Sequence, residues 1–89
     1  MKKINGSIEV VGKRWFQKSY GNTYHSVKVY VNDDVLTETF TYGYEDAYRQ
    51  TAYELLKQNG YDVPEGYGDF IRMKNISFKA IDVDRKKDL

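Results

Sequence analysis

Eighty-nine residues with 40% hydrophobic and 30% charged side chains describe one globular domain, too short for a second core. The chain has no cysteine, which excludes a disulfide scaffold, a thiolate metal site and a cysteine nucleophile. Its net charge of +1 excludes a strongly basic polymer binder, and no apolar run approaches the roughly 18 residues of a membrane span.

The opening Met-Lys-Lys has no apolar stretch behind it, so no secretory signal and a cytoplasmic location are expected. Ser7–Val11 reads as a short strand, with Ile8 and Val10 on one face and Glu9 on the other. It can run on towards Tyr20, with Lys13 and Trp15 pointing one way and Arg14 and Phe16 the other. Tyr20-Gly21-Asn22 supplies a turn, because Gly and Asn tolerate positive φ. Thr23–Val31 then alternates cleanly. His25, Val27, Val29 and Val31 share a face opposite Tyr24, Ser26, Lys28 and Tyr30.

Asn32-Asp33-Asp34 is a polar turn into a third strand, Val35–Tyr42. There Leu36, Phe40 and Tyr42 share a face that Glu38 interrupts, as at a sheet edge. A helix is expected from about Tyr44 to Asn59, with an apolar stripe of Tyr44, Tyr48, Ala52, Leu55 and Leu56. Glu45 and Asp46 fall in its first turn, Glu45 and Arg49 make a four-residue pair, and Gly60 and Pro64 stop it. A Gly-rich connection over 61–75 holds at most one helical turn near Asp69–Lys74. Ile76–Val83 is a last strand, and Arg85–Leu89 is a charged tail expected to fray. The expected fold is α+β over residues 1–89: an antiparallel sheet of three or four strands with one main helix on one face.

Charge is segregated along the chain. Residues 1–28 carry six bases against Glu9, residues 33–69 carry nine acids against Arg49 and Lys57, and residues 70–89 carry six bases against three acids. Basic ends and an acidic middle fit either a molecule with one positive and one negative face or termini that pack beside the acidic helix and neutralise it.

The chemistry that the residues allow is narrow. One histidine gives no His pair, and no nucleophile elbow, phosphate-cradling Gly loop or metal-ligand spacing occurs. His25 lies among inward-facing valines and reads as a structural hydrogen-bonder. Asp82 and Asp84, beside Arg85 and Lys86, read as solvated surface. No catalytic site, cofactor or metal is therefore expected.

Binding is the better reading. Gly12–Val31 holds the only Trp, the only His and four basic side chains. Single-stranded nucleic acid is held by aromatic platforms and basic groups along a sheet. Lys13, Arg14, Trp15, Lys18, Tyr24, Lys28 and Tyr30 are the expected binding residues. A host protein is the rival partner, docked through tyrosine-rich surface or through an acidic helix carrying Glu45, Asp46, Glu54 and nearby Asp62. Self-association through open sheet edges, as a homo-oligomeric structural protein, is a third route.

The run Arg14-Trp15-Phe16-Gln17-Lys18-Ser19-Tyr20-Gly21-Asn22-Thr23-Tyr24-His25-Ser26-Val27 resembles a signature of small, functionally unassigned bacteriophage and prophage proteins. Tyr42-Gly43-Tyr44 and the tail Asp82-Val83-Asp84-Arg85-Lys86-Lys87-Asp88-Leu89 are similar to the same proteins. The resemblance implies a host-cell cytoplasmic setting and a small non-enzymatic binder, without choosing its ligand.

Overall fold

A computed structural model describes residues 1–89. Four strands form one sheet: β1 (Ile8–Gln17), β2 (Asn22–Val31), β3 (Asp34–Tyr42) and β4 (Ile76–Val83), in the spatial order β3-β2-β1-β4. The main helix α1 (Ala47–Gln58) and the short helix α2 (Tyr67–Ile71) lie between β3 and β4 in the chain. The α+β architecture with one principal helix on the sheet is as the sequence predicts.

The sheet is mixed rather than wholly antiparallel. β1, β2 and β3 form two antiparallel hairpins, whereas β4 joins β1 in parallel, with Ile8 beside Ile76 and Trp15 beside Val83. Parallel neighbours require a crossover, and the 43–75 segment supplies one through its helices.

Strand alternation sorts the side chains. Ile8 and Val10 of β1 and His25, Val27, Val29 and Val31 of β2 are buried under the helices. Tyr48, Ala52, Tyr53 and Leu56 of α1 meet them, and Phe70 of α2 closes the core. Tyr53 takes the fully buried place expected of Leu55, which is half-buried at the margin.

The helix starts three residues later than the spacing predicts. Glu45 has φ 53°, a left-handed conformation that cannot propagate a helix, so the first helical residue is Ala47. Tyr44 is consequently 62% exposed and no part of the buried stripe. Arg49 pairs with Asp46 at 3.8 Å, not with Glu45. Within α1 the only acid is Glu54, against Arg49 and Lys57, so the negative charge belongs to the flanking loops and not to the helix.

Two further regions differ from expectation. The 61–75 connection carries its helix at Tyr67–Ile71, earlier than the Asp69–Lys74 estimate, because Phe70 anchors it to Tyr53 (4.8 Å between ring centres) and Phe78 (6.0 Å). The tail does not trail away: Lys86–Asp88 forms a 3-10 turn. No helix is long and apolar enough to cross a membrane.

Tyr61, just after α1, is buried and donates its hydroxyl hydrogen bond to Asp34 at the start of β3. That bond, and secondarily burial, pushes the Tyr61 phenol up to about 12. A group whose pKa is higher folded than unfolded adds stability below its unfolded value near 10 and loses it as pH rises through the folded value. Alkaline unfolding between about pH 10 and 12 should therefore be less steep in Tyr61→Phe than in the parent, with the stability gap between them closing across that window. Denaturant titrations of both proteins at several pH values check this; a gap that stays constant to pH 12 contradicts it.

Candidate functional site

The sheet has one face covered by helices and one without them. Residues that alternate out of the core occupy the second: Lys13 and Trp15 of β1, Tyr24, Ser26, Lys28 and Tyr30 of β2, and Lys79 of β4. Registry makes direct neighbours of Trp15 and Tyr24, and of Lys13 and Ser26. Five of the seven expected binding residues thus share this face: Lys13, Trp15, Tyr24, Lys28 and Tyr30.

Arg14 does not. Alternation turns it to the helix side, where its Nε donates to Asp82 at 2.7 Å and its Nη1 donates to the Glu45 carbonyl at 3.2 Å. The hydrogen bond it donates to Asp82 holds the guanidinium above its ordinary pKa. Arg14 therefore closes a separate depression of about 420 Å³, lined also by Phe16, Tyr44 and Glu45. Lys18 sits in the exposed β1–β2 turn, beyond the end of the face.

Phe40 and Tyr42 join the open face unannounced by simple alternation. Between Glu38 and Thr41 of β3 the register slips against β2, where His25 and Val27 are the partners. A β-bulge inserts one residue, so Thr39 and Phe40 both oppose Ser26 and the strand changes phase. Before the bulge Leu36 and Glu38 turn inward; after it Phe40 and Tyr42 turn out, 40% and 63% exposed. The Glu38 interruption seen in the sequence is the trace of this phase change.

The result is a ladder of rings across three strands. Trp15 stacks on Tyr24 with 5.9 Å between centres and 27° between planes. Tyr24 stacks on Phe40 at 4.7 Å and 17°, and Tyr42 meets Tyr24 edge-on at 5.7 Å. Stacking uses the inner ring faces, so the outer face of Trp15 and the exposed Tyr42 ring are left for a ligand. Lys86 from the tail lies over the Phe40 ring, its Nζ 4.9 Å from the ring centre.

Cations beside the ladder are unneutralised. All four arginines pair with carboxylates, Arg14 with Asp82, Arg49 with Asp46, Arg72 with Asp69 and Arg85 with Asp88. Lys13, Lys28 and Lys79 pair with none. The strand positions of the open face carry these three lysines against Glu9 alone. The strand positions of this face are thus net positive.

The chain matches no protein-family profile, no curated protein and no solved structure.

The helix side offers little chemistry. His25 is 1% exposed, with Nδ1 donating to the Gly43 carbonyl at 3.1 Å and Nε2 2.7 Å from the Thr51 hydroxyl. Both ring nitrogens are engaged and the ring is sealed from any substrate. No group of three or more His, Asp or Glu side chains converges on a metal-sized site. His25→Leu should lower stability by about 1–3 kcal/mol, by stranding the Gly43 carbonyl; the Thr51 hydroxyl keeps its bond to the Ala47 carbonyl. It should leave open-face binding unchanged, since His25 lies on the other side of the sheet; altered affinity in a folded variant would give His25 a direct role.

Proposed function

We propose that this protein is a small non-enzymatic binding domain that holds single-stranded nucleic acid on its open sheet face. The observation that carries the reading is the ring ladder Trp15–Tyr24–Phe40 beside unpaired Lys13, Lys28 and Lys79. Bases stack on the free ring faces, and the ammonium groups track the phosphates. Stacking is sequence-tolerant because every base has a π-face, so broad specificity for single strands over duplex is expected. The resemblance to phage and prophage proteins supplies a setting, the host-cell cytoplasm, in which transient single strands are abundant.

Fluorescence anisotropy with labelled single-stranded DNA, single-stranded RNA and duplex at two salt concentrations tests the proposal. Lys13→Ala and Lys28→Ala should each weaken single-strand binding and flatten its logarithmic salt dependence by about 0.7 per lost contact. No binding at micromolar protein in low salt would contradict the reading.

A host-protein partner is the second reading, favoured by one observation. Phe16, Tyr20 and Tyr44 stand 52%, 76% and 62% exposed towards the end of the sheet where Tyr42 also lies, outside the ladder. A partner retained from lysate after nuclease treatment, and lost on Phe16→Ala or Tyr44→Ala, would favour it.

A further inference from the structure

A depression of about 270 Å³ lies next to the ladder. Lys13, Ser26, Lys28, Thr37 and Thr39 converge on it from three strands, with Leu89 of the tail lying over it. No carboxylate side chain lines it. Neither lysine has an ion-pair partner, and none of the three hydroxyls makes a hydrogen bond within the protein. Two free ammonium groups and three free hydroxyl donors around one concavity are the complement of a phosphate.

Placement relates the depression to the rings. Thr37 and Thr39 enter it by ordinary strand alternation, and the bulge then sets Phe40 beside Thr39 against Ser26. Phe40, the ring at the β3 end of the ladder, is the adjacent residue. Ser26 follows Tyr24 by two residues, about 7 Å along the strand. A base against Phe40 would thus leave its own phosphate within reach of the depression. The tail occupies both places at once, Lys86 over the Phe40 ring and Leu89 over the lysine–hydroxyl cluster.

We propose that Lys13, Ser26, Lys28, Thr37 and Thr39 form a phosphate subsite for the nucleotide whose base stacks on Phe40, and that Lys86 and Leu89 are a strap which that nucleotide displaces. The inference deepens the single-strand reading and rests on it. It predicts that the protein reads the charged backbone at one fixed point rather than through diffuse attraction. It also predicts that weakening the strap strengthens binding, although the strap itself carries the basic Lys86.

The test compares two oligothymidylates of equal length, one with phosphodiester linkages and one with uncharged methylphosphonate linkages, on the full chain. The triple variant Ser26→Ala, Thr37→Val, Thr39→Val keeps every charge and loses only the hydroxyls. It should bind the phosphodiester strand about tenfold more weakly and the methylphosphonate strand as the parent does. Leu89→Ser should tighten phosphodiester binding by about fivefold, by freeing the subsite. Unaltered phosphodiester affinity in the triple variant, with its melting temperature preserved, overturns the subsite while leaving stacking intact. Unchanged or weaker binding by Leu89→Ser overturns the strap. If the parent binds neither strand, the subsite falls together with the single-strand reading.

Discussion

Gly12→Ala should be among the most destabilising single substitutions in this chain, at about 3 kcal/mol or more. Gly12 lies in the middle of β1, on the face beneath α1, between Val27 of β2 and Ala80 of β4. A Cβ there would stand 2.4 Å from Tyr48 Cδ2, 2.5 Å from its Cγ and 2.9 Å from its Cβ. The last two atoms sit close to the helix backbone, so no rotation of the ring relieves the clash. The whole of α1 would have to lift from the sheet and open the core around Ala52 and Leu56. For a domain whose total stability is on the order of 5–15 kcal/mol, that loss is a large fraction. Urea denaturation followed by circular dichroism measures it. Tyr48→Ala, costly alone, should cost much less in the Gly12→Ala background, because the two changes act on one contact. Additive effects would mean that the approach of helix to strand is not what the glycine serves.

The second large effect is expected in binding. Trp15→Ala and Phe40→Ala remove the two outer faces of the ladder, and each should weaken single-strand binding by about 1–3 kcal/mol, largely independent of salt. Lysine variants should behave oppositely, with losses that shrink as salt rises. Phe40→Leu separates stacking from mere apolar contact, since it keeps bulk and removes the π-face. Tyr24→Ala should cost affinity and stability together, because Tyr24 packs against Trp15, Phe40 and Tyr42 at once. Anisotropy titrations at two salt concentrations, with melting temperatures measured alongside, resolve these classes. Salt-dependent losses in Trp15→Ala would argue against stacking.

How much of this was legible follows from the physics of each element. The β1–β2 pair could be read because period-two alternation over ten residues fixes both faces, and it put Lys13 and Trp15 beside Tyr24, Lys28 and Tyr30. The same alternation turns Arg14 away, and its segment's basic character is no guide to direction. Phe40 escaped because a single bulge reverses the phase of a strand, and the only trace was the awkward Glu38. The parallel pairing of β4 escaped because a 33-residue connection can return a strand in either direction. The helix start was misplaced because Glu45 has helix-compatible chemistry and a left-handed backbone. The tail's position over the open face had no local signal at all, since it depends on surfaces built by three other strands.

The most direct test of the central claim is backbone-amide NMR of the unaltered protein titrated with a short single-stranded oligonucleotide. Shifts should concentrate at Lys13, Trp15, Tyr24, Ser26, Lys28, Thr39 and Phe40, with Lys86–Leu89 moving as the strap leaves and α1 silent. Absent shifts at saturating oligonucleotide, or shifts centred on Arg14, Tyr44 and Asp82 on the opposite side of the sheet, would contradict it.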